Sequence, residues 1–215
     1  MEEIEKIRDI FSDYSIGING EEEMKRCAVL IPIVEIGGEE CILFEIRNNK
    51  LSINPGEICF PGGAIEEGES AKEAALRETL EEIGVGKEHF EVITQLDYYI
   101  SPNNILIYPF LALEKKGRVP IEKLISINKN EVYGLLSIPL SYFLNYEEEI
   151  VYNRILNVPK EDFPFENVLG GKDYKFREGR YKIVFYKYKD FVIWGITARI
   201  LENFLRVYKG EEKDY

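Results

Sequence analysis

Gly63-Ala64-Ile65-Glu66-Glu67-Gly68-Glu69, continued by Arg77-Glu78-Thr79-Leu80-Glu81-Glu82-Ile83-Gly84-Val85, is the stretch whose reading decides the fold. Its second half reads as a helix. Ser70 stands as the N-cap, and Glu73, three residues on, completes a capping box. Ala71, Ala74, Ala75, Leu76, Leu80 and Ile83 recur at helical spacing and supply a buried side, and Gly84 is the stop. Residues three and four apart share a helix face, so Glu78, Glu81 and Glu82 are expected on one patch with Arg77 beside them. Crowding like charges costs a few tenths of a kcal/mol per pair. A divalent cation would remove that cost and turn the patch into a site.

Working outward, residues 26–35 and 41–47 are rich in strand formers, and Gly37-Gly38 between them predicts a hairpin. Pro55-Gly56-Glu57-Ile58-Cys59-Phe60-Pro61-Gly62-Gly63 reads as a short apolar strand bounded by turns, its paired glycines permitting close backbone approach. Further strands are expected near 90–99 and 105–114, split by Ser101-Pro102-Asn103-Asn104, and near 131–138, with a short helix after Pro139. A β pair near 148–157 and another at 174–193 precede a closing amphipathic helix, about 195–208, carrying Ile196, Ile200, Leu201, Phe204 and Leu205. An amphipathic helix opens the chain over residues 1–15, with Ile4, Ile7, Ile10, Phe11 and Tyr14 on one stripe. The pattern predicts an α/β (α+β) sandwich with a mixed sheet between helices. No linker divides it, so residues 1–215 read as one domain.

The formal charge of -12 argues against broad nucleic-acid binding, which needs a basic face, and against anionic membrane surfaces. No apolar run approaches the ~18 residues of a membrane span. The acidic start, Met1-Glu2-Glu3, lacks the apolar core of a signal peptide. Cys27, Cys41 and Cys59 are odd in number and lie in apolar runs, which reads as reduced buried thiols in a cytoplasmic protein.

The fixed positions from Gly63 to Val85 resemble the Nudix box, G-x5-E-x7-R-E-U-x-E-E-x-G-U, where U is a bulky apolar residue. Two Gly, four Glu and one Arg at fixed offsets have a chance of about 10^-9 per starting point from average usage, relaxed by about two orders of magnitude for a Glu-rich chain. Thr79 departs from the pattern but keeps a methyl for packing. The resemblance implies a Nudix α/β/α sandwich with its box at 63–85, and hydrolysis of a nucleoside diphosphate linked to another moiety. Carboxylate oxygens are the hard ligands that Mg2+ or Mn2+ prefers. Glu78, Glu81 and Glu82 form the expected ligand set, with the Gly62 carbonyl and Glu69 as additions. Arg77 is expected to orient a glutamate through a bidentate pair. Glu78 and Glu131 both stand as candidate general bases, because in resembling enzymes the base comes from the box or from a later loop.

The segment before the box, Ile42-Leu43-Phe44-Glu45-Ile46-Arg47 and Gly56-x-x-x-Phe60-Pro61-Gly62-Gly63, resembles coenzyme A pyrophosphatases. So does Phe191 to Ile200 near the end. By implication the substrate is coenzyme A or a derivative, and Arg47 is a binding residue. The chain departs from that subfamily at Phe44, Ile46, Asn48 and Ser52. Two other readings stay open: an ADP-ribose or nucleotide-sugar pyrophosphatase, and a catalytically silent ligand-binding module. The basic hairpin and closing helix occupy 172–208. Between 172 and 189 seven basic residues face two acidic ones, which offers Lys175 and Arg177 to a nucleotide 3'-phosphate, or a Lys-guarded solvated edge. His89 is expected at the surface and Trp194 in the core or a homodimer interface. Tyr98, Tyr99 and Tyr108 are expected in buried sheet. Cys59 has no nearby histidine and is not read as a nucleophile.

Overall fold

The computed structural model describes residues 2–117 and 119–211. Strand β1 (Lys25–Ile36) turns into β2 (Glu39–Arg47) across Gly37 and Gly38, whose φ of 61° and 86° suits the two-residue hairpin turn that the paired glycines predict. Strands β3 (Ile58–Cys59), β4 (Gly62–Ala64), β5 (Phe90–Gln95), β6 (Tyr99–Ile100), β7 (Ile105–Glu114) and β8 (Val132–Pro139) complete a mixed sheet ordered β3-β2-β1-β7-β5. Among the described residues only β1 and β7 run parallel in it; β4 and β6 add to β1 and β7, and β8 lies against β2.

Burial on both faces of β1 and β2 gives continuous apolar runs, and their alternation sorts residues between two layers. Leu30, Val34 and Leu43 pack with Ala74, Ala75 and Ile83 of helix α2 (Ala71–Ile83) on one side. Ile31, Ile33, Ile42 and Phe44 pack on the other side, with Ala198, Ile200, Leu201, Phe204 and Leu205. Those five belong to the last helix, Gly195–Tyr208, which follows α3 (Leu140–Leu144) and is therefore α4. This is the α/β/α sandwich expected from the pattern.

Several expectations change. The β pairs near 148–157 and 174–193 form one antiparallel three-stranded sheet of β9 (Glu149–Ile155), β10 (Gly179–Tyr188) and β11 (Phe191–Trp194), because β10 pairs with both neighbours. The strand expected over 90–99 divides, since a bulge between Val92 and Thr94 shifts the register before Tyr99 pairs again with Ile107. Helix α1 (Glu2–Ser12) forms, but its stripe of Ile4, Ile7, Ile10 and Phe11 is exposed. Leu80 faces solvent, and Thr79 takes the buried place instead, its hydroxyl donating to the Ala75 carbonyl at 2.6 Å. Trp194 is 44% exposed and stacks on Phe185, so it is not core. Tyr98 is exposed and Tyr99 and Tyr108 are only half-buried, their hydroxyls reaching polar partners: Tyr181 for Tyr99, Glu21 for Tyr108. His89 is half-buried, with Nδ1 buried and unpartnered. Among the described residues no helix is long and apolar enough to cross a membrane.

Candidate functional site

Helix α2 is placed by its caps. The Ser70 hydroxyl accepts from the Glu73 backbone N–H at 3.3 Å, and the Glu73 carboxylate accepts from the Ser70 N–H at 2.9 Å. Gly84 closes the helix at φ 76°, a left-handed conformation suited to glycine. These caps hold the acidic face of α2 against β4.

The two glycines of β4 make the approach. A Cβ on Gly62, at φ 152°, would lie 2.6 Å from the Val29 Cα, and one on Gly63 would overlap the Glu78 carboxyl group. Without side chains there, the Gly62 N–H donates to Glu82 Oε2 at 2.9 Å, and Glu82 is 4% exposed. Arg77 spans the rim. Its Nε and Nη2 grip Glu69 at 3.1 and 2.8 Å, its Nη1 donates to Glu78 at 2.9 Å and Glu81 at 3.3 Å, and its Nη2 reaches the Ala64 carbonyl at 3.0 Å. The expected bidentate pair is therefore made with Glu69. That hydrogen bonding, to Glu69 foremost, holds the guanidinium above its ordinary pKa, and Glu69 in turn is held below the usual carboxylate range.

The three glutamates do not form the single tight patch that helical spacing suggests. Arg77 keeps Glu78 and Glu81 on its own side, while Glu82 turns inward to Gly62. Among the described residues no group of three or more His, Cys, Asp or Glu is gathered as a ready cation cage. Burial raises the Glu78 carboxyl against the opposing pull of Arg77.

One acid that the spacing argument missed lies behind Glu82. Glu45, on β2, is 1% exposed; its Oε1 accepts from the Cys59 thiol at 3.0 Å, and its Oε2 is buried with no hydrogen-bond donor. Glu45 and Glu82 interact directly, and burial pushes both carboxyls well above their ordinary range. The signal was present: a glutamate between Phe44 and Ile46 shares strand parity with Leu43, which packs toward α2. Two buried carboxylates, one oxygen orphaned, and the acids at the rim supply the oxygen chemistry that Mg2+ or Mn2+ takes, although they are not gathered into a cage. Glu78, Glu81 and Glu82 would hold the ion.

Glu131 comes to the same rim. It is exposed, accepts from the Asn128 amide at 3.0 Å, and its charge bears on both Glu78 and Glu45. Its backbone carbonyl accepts from the Asn48 N–H at 2.7 Å, which ties this loop to the end of β2. Arg47 stands beside Glu45 and Glu57, its Nη2 donating to the Ile53 carbonyl at 3.4 Å and its Nε buried without an acceptor. Lys175 and Arg177 are exposed ahead of β10, and among the described residues no hydrogen bond or ion pair ties either to the box. Burial, reinforced by the Glu45 charge, pushes the Cys59 thiol well up, which disfavours a nucleophilic thiolate. A cavity of about 800 Å³ lined by Tyr99, Lys182, Arg199 and Arg206 contains no box residue, and Glu202 and Asp97 neutralise its cations.

The chain matches the NUDIX domain family over residues 24–135 and belongs to that family. It is similar to the peroxisomal coenzyme A diphosphatase NUDT7 of Mus musculus, at 32% identity over 137 residues, 63% of this chain and 55% of that protein. It is also similar to the peroxisomal coenzyme A diphosphatase ndx-8 of Caenorhabditis elegans, at 33% identity over 147 residues, 66% of this chain and 59% of that protein. The chain thus spans little more than half the length of these curated relatives. Among solved structures, a MutT/nudix family protein from Enterococcus faecalis covers 96% of this chain, and 69% of that chain is covered in turn. Its TM-score of 0.51 at 16% identity speaks for the fold.

Proposed function

We propose that this chain hydrolyses the diphosphate of a nucleoside diphosphate linked to another moiety, and that coenzyme A or a derivative is the favoured substrate. The observation that carries the reaction class is the box constellation: Arg77 gathers Glu69, Glu78 and Glu81 at the rim, and Glu82 is fixed by the Gly62 N–H. Mg2+ or Mn2+ at these carboxylates, with the Gly62 carbonyl as a further donor, would neutralise diphosphate charge and acidify a bound water. Glu78 or Glu131 accepts the proton of the attacking water. The water oxygen bonds to one phosphorus as the bridging P–O bond breaks, giving 3',5'-ADP and 4'-phosphopantetheine. Arg77 keeps the acids in place rather than touching substrate, since its donors are already committed.

Support for coenzyme A comes from the segment before the box and from the similarity to two proteins named as coenzyme A diphosphatases. Arg47 lies at the mouth of β2, where it would meet substrate. An ADP-ribose or nucleotide-sugar pyrophosphatase is the second reading, favoured because, among the described residues, neither Lys175 nor Arg177 makes a hydrogen bond or ion pair with the box. Three unpaired cysteines favour the cytoplasm as the compartment. The exposed Trp194 and α1 stripe leave a homodimer as a proposal.

The test is turnover with Mg2+ or Mn2+ against coenzyme A, ADP-ribose and NADH, with products identified by mass spectrometry. Release of 3',5'-ADP from coenzyme A at the highest kcat/KM supports the reading. Preference for ADP-ribose replaces the substrate. Tight binding with no turnover of any diphosphate replaces the enzyme by a silent binding module.

A further inference from the structure

We propose that Glu45 is a direct ligand of the divalent cation, reaching it from the sheet floor beneath Glu82. The proposal rests on the cation being held by the box glutamates, as argued above, and adds a ligand from outside the box.

Strand parity sends Glu45 toward α2, on the side of Leu43, and away from the Phe44 layer. There it meets Glu82, so two carboxylates, 1% and 4% exposed, lie against each other. Each carboxyl accepts from a neutral donor: the Cys59 thiol to Glu45 Oε1 and the Gly62 N–H to Glu82 Oε2. Glu45 Oε2 has none. The rim acids are different, because the Arg77 guanidinium balances Glu69, Glu78 and Glu81. Arg77 does not reach the floor, and the Arg47 head donates to the Ile53 carbonyl instead. Among the described residues the floor therefore holds two acids with no ion-paired cationic side chain, Arg47 acting on Glu45 only as a nearby charge. A charged oxygen shut away from water without a donor is costly, and such groups are paired or coordinate metals. A cation seated between the helix acids and the sheet would use Glu45 Oε2, and it would leave Oε1 with the Cys59 thiol.

The competing account is a single proton shared by the two carboxyls, with Glu45 outside the coordination sphere. Crystals of the full chain soaked in Mn2+ separate the two. An anomalous peak within about 2.5 Å of a Glu45 oxygen supports the proposal. A peak bonded to Glu78, Glu81 or Glu82 with Glu45 beyond that distance overturns it while leaving the proposed function standing. The absence of any peak at the box overturns both. In solution, Glu45→Gln keeps the shape and hydrogen bonding but removes the charge. Its Mn2+ affinity by calorimetry should fall about 10-fold or more, with a melting temperature in EDTA at or above that of the unaltered protein. Affinity within about 2-fold of the unaltered protein overturns the assignment. Should that variant fail to fold, Glu45→Asp retains charge but retracts the oxygen by one methylene, and it should show the same loss of affinity.

Discussion

With its guanidinium divided among Glu69, Glu78, Glu81 and the Ala64 carbonyl, Arg77 sets the positions of three of the four box acids. Glu82 owes its position to the Gly62 N–H instead, and on the proposed reading a buried carboxylate so held would be the least replaceable ligand. Glu82→Gln and Glu81→Gln should each reduce kcat by about 100-fold or more, with circular dichroism unchanged. Near-normal rates in either would show the ligand set to be misassigned. Gly63 tests the same geometry from the strand. A methyl there overlaps the Glu78 carboxyl group, which lies at the end of a flexible side chain and can move. Gly63→Ala should therefore cost little in melting temperature but lower kcat markedly. A variant that loses stability and activity together would show that Gly63 serves packing rather than Glu78.

At the scale of elements, α2 was legible because each of its signals is local. The capping box, the αL glycine and the i, i+3, i+4 spacing depend on residues within one turn of each other. Which face of α2 is buried was less legible. Leu80 was expected inward and Glu82 at a shared surface patch, yet Leu80 is out and Glu82 is in. The reason is β4: its glycines let α2 come close enough for the Gly62 N–H to reach Glu82, and Leu80 is left on a different face of the helix, beside Leu76 and Lys87. The basic segment before β10 leads into the other sheet, and on the proposed reading a substrate phosphate would connect it with the box. If Lys175 and Arg177 meet a 3'-phosphate, reversing both to Glu should raise KM for coenzyme A several-fold more than for dephospho-coenzyme A. Equal changes for the two substrates would leave the segment as a solvated edge.

For the molecule as a whole, the buried pair of Glu45 and Glu82 links stability to pH. Both carboxyls are raised in the folded state, because burial disfavours their charged forms. Their contribution is present while both are protonated, below the ordinary carboxylate range. It is lost as pH rises through the raised values, up to about 9 for Glu82. In EDTA the melting temperature should therefore fall between about pH 5 and pH 9, and saturating Mn2+ should flatten that slope. A melting temperature that stays level or climbs across that interval in EDTA would remove the linkage.

By itself the sequence determined the layered architecture, the ends of α2, the β1–β2 turn, and the nearness of Glu69, Glu78 and Glu81 to Arg77. All of these follow from spacing along the chain, which fixes local geometry and the parity of strands. The tertiary structure decided that Arg77 collects the rim acids, that Glu82 turns inward, and that Glu45 and Glu131 arrive from segments distant in the chain. Those outcomes depend on which backbone lies against which helix face, a relation that hydrogen bonds and burial settle and periodicity does not encode.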